Sequence, residues 1–447
     1  MSNQGEAYQT ENEEALESGG NQLPTLPGAV PEQDSVKIEV PEVDNKTMRP
    51  IPRISIQVFC ESSETGEVFQ RASEDRRLSK AHMTVQMGGV AGAVEHFGET
   101  STPNLVIVES SANGEKLFDQ LSQLARVCDP STKVIVIGQV NDITTYRELI
   151  RQGINEYLVA PLTPLQVLEA ISSLYIDPDA PPLGRNIVFT GSKGGVGSSS
   201  LAHNVAWCIA DIAKEEVVIV DLDLAFGTAG LDFNQDPAQG VGDALTAPER
   251  VDEVLIDRLL VKCSERLSLF TSPGTLDREF DLAPSSFESV LDVVRKTVPY
   301  VIIDLPHIWT AWSRSVLLSA DDIVIVATPD LASLRNTKNL FERIKVARPN
   351  DPSPKLVLNQ VGIAKRPEIP AKDFAEAIGT EPQFVIPFDP ALFGTAANNG
   401  QMLPQVDRKS HTVQLIQEIS GALTGRSAPE TKKTSFLSLL KGKKRSA

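Results

Sequence analysis

The feature that most constrains the fold is a regular alternation of short apolar runs with amphipathic segments along most of the chain. In the second half the apolar runs are near-continuous stretches of Val and Ile, such as EVVIVDLD and YVIIDLP. Runs of this kind are typical of strands buried on both faces, which occur in parallel sheets with helices on either side. Several of them end in polar residues, and ligands bind at the carboxyl edge of such sheets. We therefore predict an α/β protein with parallel sheets flanked by helices.

The alternation falls into two series, which predict two domains. Residues 51–176 contain five β-α units and predict a first, flavodoxin-type domain with helices on both faces of its sheet. Residues 177–184 are rich in Pro and Asp and predict a linker. The longer series at 185–425 predicts a larger α/β domain. Residues 1–50, with ten acids against three bases, predict a disordered acidic tail, and residues 426–447 a basic amphipathic tail.

Composition narrows the class of protein. The net charge of −17 argues against binding of the whole molecule to nucleic acid, which would need a local basic patch. The 4 cysteines form no CxxC pair, which argues against a disulfide scaffold or a zinc ribbon and favours a reducing compartment. No apolar run approaches the roughly 18 residues of a membrane span, and the acidic start does not resemble a signal peptide. We expect a cytoplasmic protein.

The second series begins with a candidate phosphate-binding loop. NIVFTG predicts a strand, SKGGVG a glycine loop and SSSLAHNVAWCIA a helix, which is the order that a P-loop requires. Gly194, Gly195 and Gly197 allow the backbone to approach phosphate oxygens closely. Ser199 stands where a hydroxyl that binds Mg²⁺ belongs. The residues predicted to contact the nucleotide here are Gly194, Gly195, Val196, Gly197, Ser198, Ser199 and Ser200.

The loop departs from the usual pattern at one position. Ser198 stands where a P-loop normally carries the lysine that binds the β- and γ-phosphates, whereas Lys193 lies five residues earlier. A serine supplies a hydrogen bond but not the charge-assisted contact of a lysine, which contributes about 1.5–3 kcal/mol. We therefore expect weak ATP binding and slow turnover, with ATP binding favoured over efficient hydrolysis.

Three carboxylates follow later strands. Asp221 and Asp223 lie two residues apart on one strand face, and Asp304 ends the run VIID. A carboxylate in the position of Asp304 holds Mg²⁺ through water in P-loop proteins. The alternative, a carboxylate that only caps a helix, stays open. We predict Ser199, Asp221 and Asp304 as the metal site.

The loop SKGGVG followed by serine resembles the deviant Walker A loop of the ParA/MinD superfamily of ATPases. The resemblance implies that ATP and Mg²⁺ bind between two subunits and that Lys193 reaches the phosphates held by the partner. It implies further that Asp223 positions the attacking water and that Asp304 is the Walker B residue. Asn359 and Pro387 match positions that contact adenine in that family.

Longer phrases resemble one branch of the superfamily. DLDLAFGTAGLDFNQDPAQG, LRNTKNLFE, LNQVGIAKRPEI and FGTAANNGQM are similar to the CpaE/TadZ pilus-assembly proteins, and the resemblance covers about 185–425. It implies a homodimeric cytoplasmic factor that localises the Tad (Flp, type IVc) pilus secretion machinery, usually at a cell pole and near the cytoplasmic face of the inner membrane. Pilus components are its implied partners.

Residues 51–176 resemble a response-regulator receiver that lacks the receiver's chemistry. Glu109 in PNLVIVE occupies the place of the phosphoacceptor aspartate. Gly138 and Ala160 replace the Thr/Ser and the lysine of that family, and Cys60 and Glu61 replace its acidic pair. Without those groups, Mg²⁺ and a phosphoryl group lack their counter-charges. We predict a pseudo-receiver that serves in dimerisation or docking.

Other features leave alternatives open. The tail SFLSLLKGKKRS is either a contact for a membrane surface or a solubilising end. Trp309 and Trp312, three residues apart on a predicted helix, either pack in the core or form a dimer face. We assign no role to His203 or His307.

Two rival functions remain beside the one that the resemblance implies. The first is a scaffold that binds nucleotide without hydrolysing it, and the second is a partition ATPase of ParA type. A partition ATPase requires a basic surface for DNA, which the acidic composition disfavours.

Overall fold

The computed structural model describes residues 48–176, 182–277, 280 and 282–426. The tails predicted at 1–50 and 426–447 lie almost entirely outside these residues, as does most of the linker predicted at 177–184. None of the helices in the described part of the chain is both long and apolar enough to cross a membrane.

The first sheet has five parallel strands in the order β2-β1-β3-β4-β5, which is the flavodoxin-type order. Its strands are β1 (Ser55–Cys60), β2 (His82–Met87), β3 (Leu105–Glu109), β4 (Lys133–Gly138) and β5 (Glu156–Val159). The helices that alternate with them are α1 (Ser63–Ser73), α2 (Gly89–Glu99), α3 (Glu115–Val127), α4 (Ile143–Arg151) and α5 (Pro164–Tyr175). We call this sheet and its helices the N-terminal domain. Its architecture confirms the prediction of a parallel α/β fold.

The N-terminal domain is held together by apolar packing on both faces of its sheet. Every residue of β3 is buried, as expected for the central strand of a covered parallel sheet. On one face α3 packs its apolar stripe of Leu117, Leu121 and Leu124 against the sheet. On the other face α1 and α5 pack against it through side chains such as Phe69.

The second sheet has eight strands in the order β13-β12-β11-β6-β10-β7-β9-β8. Its strands are β6 (Arg185–Gly191), β7 (Val217–Asp221), β8 (Val261–Lys262), β9 (Leu267–Phe270), β10 (Tyr300–Leu305), β11 (Asp322–Ala327), β12 (Lys355–Val361) and β13 (Phe384–Pro387). The sheet is parallel except for β8, a two-residue antiparallel edge strand that the sequence pattern does not indicate. We call this layer the C-terminal domain.

Helices cover both faces of the second sheet. They are α6 (Ser198–Asp211), α7 (Ala229–Asp232), α8 (Val241–Thr246), α9 (Glu253–Leu259), α10 (Pro284–Thr297), α11 (Ala311–Ser319), α12 (Leu331–Ala347), α13 (Ala371–Ile378), α14 (Pro390–Asn399), α15 (Leu403–Val406) and α16 (His411–Thr424). α6 and α16 share one apolar core with the sheet, and α10 and α11 contribute to the other.

The strand order brings the candidate site together. β6 lies in the middle of the sheet between β11 and β10, and β7 follows β10. Asp304 of β10 is aligned with Asp221 of β7 on one side and with Phe189 of β6 on the other. The carboxyl end of β6 opens directly into the glycine loop. The loop and both carboxylates therefore lie at one edge of the sheet.

A cluster of buried ion pairs joins the two domains. Nε of Arg76 lies 2.8 Å from Oδ2 of Asp351, and Nη2 of Arg77 lies 2.5 Å from Oδ1 of the same carboxylate. Arg348, the residue that ends α12, approaches Asp351 to 2.6 Å. The side chain of Asp351 is 3% exposed. One buried carboxylate thus holds two guanidinium groups of the N-terminal domain and one of the C-terminal domain.

The electrostatics of this cluster follow from the number of cations around Asp351. Burial alone would raise the pKa of Asp351, but the charges of Arg76, Arg348 and Arg77 outweigh it and hold the pKa well below its ordinary range. Asn350 adds a hydrogen bond of 3.1 Å from its amide nitrogen to Asp75 in the N-terminal domain. The two domains are therefore joined by a largely buried network of guanidinium and carboxylate groups.

Candidate functional site

The glycine loop adopts a conformation that only glycine accommodates at its end. Gly195 and Gly197 have φ angles of 79° and 87°, in the left-handed region. A Cβ atom on Gly197 would lie 2.6 Å from Nδ2 of Asn359. The turn between β6 and α6 therefore requires glycine at 197 for both its backbone angle and its close neighbour.

Two side chains from β12 brace the loop. Nδ2 of Asn359 donates a hydrogen bond of 2.8 Å to the carbonyl of Val196, and Nε2 of Gln360 donates one of 2.8 Å to the carbonyl of Gly195. Asn359 is 3% exposed. In this arrangement the Asn359 amide contacts the loop, so its contact with adenine stays a prediction. Pro387, the other residue predicted to contact adenine, is exposed at the end of β13 and is aligned with Val361 of β12.

The start of the loop is anchored to the neighbouring strand and helix. The Ser192 N–H donates to the carbonyl of Val326 at 2.8 Å, and Nδ2 of Asn336 donates to the carbonyl of Ser192 at 2.9 Å. The Ser192 hydroxyl also hydrogen-bonds the hydroxyl of Ser333 in α12. The loop is consequently held from both sides, which is the preorganisation that a phosphate site needs.

The start of α6 offers unpaired hydrogen-bonding groups to an anion. Its N-cap is Gly197, and no side chain caps the first N–H groups of the helix. Among the described residues, Oγ of Ser198 is buried without a hydrogen-bond partner. Ser199 and Ser200 follow in the same turn and are half-buried. An uncapped helix start, left-handed glycines and an unpartnered hydroxyl together fit a phosphate chain.

Lys193 is held by a neighbour in its own chain. Its Nζ lies 3.2 Å from Oδ2 of Asp330, and the two side chains are 39% and 33% exposed. Asp330 is the N-cap of α12, where Oδ1 accepts a hydrogen bond of 3.0 Å from the Ser333 N–H. Partial burial opposes ionisation of Asp330, but hydrogen bonds from Thr328, Ser333 and Lys193 lower its pKa below the ordinary value.

Asp221 is buried and fully engaged. Its Oδ1 accepts from the Asp223 N–H at 3.1 Å, and its Oδ2 accepts from the Ser272 hydroxyl at 3.1 Å and the Ala229 N–H at 3.2 Å. Burial and the nearby charge of Asp304 raise the pKa of Asp221 to about 7. Both oxygens therefore organise the segment that follows β7, and the role of Asp221 as an Mg²⁺ ligand stays a prediction.

Asp223 stands at the start of that segment. It is half-buried, and its Oδ1 accepts a hydrogen bond of 3.1 Å from the Phe226 N–H. Its carbonyl accepts another of 2.7 Å from the Gly227 N–H. In this arrangement Asp223 closes a turn, and its role toward water stays a prediction.

His203, to which the sequence pattern assigns no role, lies at the centre of the acidic group. It is fully buried on α6, with Nδ1 2.7 Å from Oδ2 of Asp232 and Nε2 3.5 Å from Oδ2 of Asp304. Burial lowers the pKa of His203, but hydrogen bonds and charges of the two carboxylates outweigh it and raise the pKa to about 10. The sequence feature that could have indicated a role for His203 is its position on the buried face of the helix that follows the glycine loop.

Of the predicted magnesium ligands, Asp304 and Ser199 lie at the same edge of the sheet. Asp304, 4% exposed, is the penultimate residue of β10, at the same sheet edge as Ser199 in the first turn of α6. Within the described ranges, no group of three or more His, Cys, Asp or Glu side chains is arranged to hold a metal ion. One carboxylate and one hydroxyl beside a phosphate site fit Mg²⁺, which retains waters and takes ligands from substrate phosphates.

The two tryptophans have different environments. α11 begins at Ala311, so the prediction that Trp309 and Trp312 share one helix face is wrong. Trp312 stacks on Phe287 with ring centroids 4.3 Å apart and belongs to the core. Trp309 is 52% exposed and lines a cavity of about 660 Å³ between the end of β10 and α12, beside the loop.

In the N-terminal domain, Glu109 is satisfied by the loop after β1. Its Oε2 accepts from the N–H groups of Glu61 and Ser62 at 2.7 and 2.9 Å. Its Oε1 accepts from the hydroxyls of Ser62 and Thr65, both at 2.9 Å. Burial and the Glu109 carboxylate raise the pKa of Cys60 to about 12, so the thiol stays neutral. The glutamate thus fixes the start of α1 with four hydrogen bonds.

The other replaced positions of this domain are also filled. A Cβ atom on Gly138 would lie 2.1 Å from the hydroxyl oxygen of Tyr157, which donates to the carbonyl of Val140 at 3.0 Å. Glycine at 138 is therefore required by the inward position of the tyrosine. Ala160 packs against the apolar core of the domain.

Comparisons with known proteins add a family context to this geometry. A family model described as an AAA domain matches residues 184–356. The septum site-determining protein MinD of Synechocystis is 26% identical over 256 residues, which are 55% of this chain and 92% of that protein.

Two solved pilus assembly proteins are similar in the N-terminal region. CpaE of Caulobacter crescentus is 48% identical, with 29% of this chain and 98% of that chain covered and a TM-score of 0.28. CpaE2 of Sinorhizobium meliloti is 42% identical, with 26% and 96% covered and a TM-score of 0.26. The chain is thus similar in its N-terminal region to two proteins named as pilus assembly proteins, and the AAA family model matches part of the C-terminal domain.

Proposed function

We propose that the protein is an ATP-binding assembly and localisation factor for the Tad (Flp, type IVc) pilus secretion machinery, and that it works through nucleotide-dependent dimerisation. The supporting observation is the braced glycine loop, which ends in an uncapped helix and the buried, unpartnered hydroxyl of Ser198. The pilus role is supported by the similarity to proteins named as pilus assembly proteins.

The loop residues account for nucleotide binding. N–H groups of 194–200 surround the phosphate position, and the Ser198 hydroxyl donates the hydrogen bond that it lacks without a ligand. Because Ser198 carries no charge, the chain on its own supplies less stabilisation to the β- and γ-phosphates than a lysine would, by about 1.5–3 kcal/mol. A second cation is therefore needed for tight binding.

Lys193 is the cation that we assign to this task, acting on the phosphates held by a second copy of the chain. Its contact with Asp330 is partly exposed, and ion pairs of this kind contribute only about 0–1 kcal/mol. A charge-assisted contact with phosphate in the drier interface of a dimer is stronger. It is thus favourable for Lys193 to leave Asp330 and bind the phosphate held by the partner. This exchange links dimerisation to bound nucleotide.

The carboxylates account for the metal and for hydrolysis. Ser199 and Asp304 would hold Mg²⁺, which neutralises phosphate charge when bound. Asp221 positions the segment after β7 through both of its oxygens. Asp223 is the residue that we assign to orienting the attacking water, once its bond to the Phe226 N–H is released.

The N-terminal domain supplies the docking function in this proposal. Because four hydrogen bonds engage the Glu109 carboxylate, the domain offers a fixed surface and not a phosphorylation switch. We place the protein in the cytoplasm, near the pole and the inner face of the membrane. The tail at 426–447 is its proposed membrane contact, to be tested by sedimentation with anionic liposomes before and after truncation at Gly425.

The central test compares Lys193→Ala with Lys345→Ala, which removes an exposed lysine of α12. Binding of a fluorescent ATP analogue and the mass of the complex in sedimentation equilibrium are measured with Mg²⁺. We expect Lys193→Ala to weaken binding about 10- to 100-fold, from the charge-assisted contact, and to abolish the dimer. Lys345→Ala should behave as wild type. Unchanged affinity and pairing in Lys193→Ala would refute the proposal.

A scaffold that binds nucleotide without hydrolysing it is the second candidate. It is favoured by the uncharged Ser198 and by the engagement of Asp223 in a turn. Single-turnover release of γ-phosphate from the dimer distinguishes the two candidates, because slow but measurable release excludes the inert scaffold. A DNA mobility-shift assay at physiological salt tests the partition ATPase, for which we expect no shift.

A further inference from the structure

The geometry points to His203 as a positioning residue that fixes the Asp304 carboxylate relative to the segment carrying Asp223. This inference rests on the proposed function, because it assigns Asp304 to the cation site and Asp223 to the attacking water. His203 itself touches neither nucleotide nor metal in this scheme. It acts through the two carboxylates between which its ring lies.

The first support is the placement of the ring between three separate elements. His203 belongs to α6, which begins at the glycine loop, whereas Asp304 is the penultimate residue of β10 and Asp232 ends α7. The imidazole has two nitrogens, and each faces one of these carboxylates, at 2.7 and 3.5 Å. The side chain is 0% exposed, so water does not compete for either contact. A single side chain thus connects the loop helix to both acidic elements.

The second support is what the ring does to Asp304. The closest approach of His203 to that carboxylate is from Nε2 to Oδ2 at 3.5 Å, a contact without a hydrogen bond that places the ring directly against Asp304. Asp304 also stands in register beside Asp221, a second buried carboxylate. His203 of α6 lies 3.5 Å from Asp304, and Asp221 stands beside Asp304 on β7, so Asp304 has a close neighbour on each of two elements. Without the ring, Asp304 loses the group that holds it on the α6 side.

The third support is the way the Asp223 segment is tied down. Its beginning is held to Asp221, which accepts from the Asp223 and Ala229 N–H groups. Its end is held by Asp232, whose carboxylate contacts His203, and the ring of the adjacent Phe233 packs at 5.9 Å from the imidazole. Loss of the His203 contact therefore frees the end of the segment while its beginning stays attached.

The same helix offers a matched control. Asn204 is also buried, at 5% exposure, and makes two hydrogen bonds, from its amide nitrogen to the Ser200 carbonyl and from the Leu403 N–H to its oxygen. It faces α15 and not the acidic group. Asn204→Ala therefore disturbs α6 to a similar degree without touching Asp304 or Asp232.

The test is hydrogen–deuterium exchange by mass spectrometry on the full chain without nucleotide, for wild type, His203→Leu, Asp232→Asn and Asn204→Ala. We expect His203→Leu and Asp232→Asn to raise exchange of peptides from 222–235 at least 10-fold. Asn204→Ala should leave this segment near wild type although its melting temperature falls. If His203→Leu leaves the segment protected, or changes it no more than Asn204→Ala, the inference is wrong.

A second measurement addresses Asp304. In the presence of ATP, His203→Leu should raise the Mg²⁺ concentration for half-maximal dimerisation about 10-fold while affinity for ATP in EDTA stays within 2-fold of wild type. A Mg²⁺ requirement equal to that of Asn204→Ala would contradict the positioning of Asp304. Wild-type protein that binds no nucleotide refutes the proposed function instead, and the exchange result on the nucleotide-free chain still decides the link between His203 and the segment.

Discussion

Replacing Asp351 by asparagine should lower the free energy of unfolding far more than the loss of a surface ion pair does. The carboxylate is 3% exposed and contacts Arg76, Arg77 and Arg348 at 2.5–2.8 Å. Asparagine keeps the shape but removes the charge, so three desolvated guanidinium groups lose their common counter-ion. Removal of one partner from a buried pair costs about 3–5 kcal/mol.

The chain contains a matched comparison for this prediction. Lys80 and Asp292 form a second ion pair between the same two domains, but their side chains are 47% and 42% exposed. Such exposed pairs contribute about 0–1 kcal/mol. Asp292→Asn therefore makes the same chemical change between the same two domains, but at a solvent-exposed position.

Urea unfolding followed by circular dichroism gives the measurement. With a slope of about 2–3 kcal/mol/M, Asp351→Asn should lower the midpoint of the first transition by about 1–2.5 M, and Asp292→Asn by less than about 0.5 M. Equal shifts in the two variants would refute the reasoning, because they would show that burial of the charge makes no difference.

Four further outcomes follow from the same structure. Because the pKa of Asp351 is lowered on folding, its contribution to stability is complete above the ordinary aspartate value and is lost as the pH falls below about 4, so the acid-induced loss of urea stability should be smaller in Asp351→Asn than in wild type. Ser198→Lys should tighten ATP binding about 10-fold or more in titration calorimetry, whereas Ser198→Thr should not. Gly197→Ala places a Cβ atom against Asn359 at a left-handed backbone position, so we expect nucleotide binding to be lost and the melting temperature to fall, with Gly394→Ala, where no atom lies within 4 Å of the added carbon, as the control. Glu109→Ala should lower the melting temperature, and incubation of wild type with acetyl phosphate should leave its intact mass unchanged.

The parallel strands and the glycine loop could be predicted from the sequence because their causes are local. Every residue of β3, β7 and β11 is buried. Because strands covered on both faces need apolar side chains on both, they appear in the sequence as nearly continuous apolar runs. The left-handed angles at Gly195 and Gly197 likewise demand glycine at those positions. Both signals are readable within a few residues.

Other elements lack such a signal or carry a different one. β8 has two residues and pairs only at the sheet edge, so neither length nor pattern distinguishes it from a loop. The start of α11 is set by Thr310, whose hydroxyl and backbone pair with Ser313 in a capping box. That pattern excludes Trp309 from the helix, and the spacing of the two tryptophans alone misses it.

The acidic cluster around His203 and the domain contact could not be predicted from spacing. His203 meets Asp232 from 29 residues away, and Arg76 meets Asp351 from 275 residues away. A buried charge is stable only beside its partner, and the partner becomes known when the strand order is known. The roles of the predicted site residues toward ATP and Mg²⁺ remain predictions for the experiments above.

The run of contacts along α12 has a mechanical consequence. Its first residues hold Ser192 and Lys193 at the glycine loop, and the arginine that ends it sits in the ionic joint with the N-terminal domain. Its 17 residues make a rod about 25 Å long between those points. In a dimer that pairs through the glycine loops, the two N-terminal domains would therefore lie at one fixed separation. A protein that binds both of them would need two binding sites at that separation.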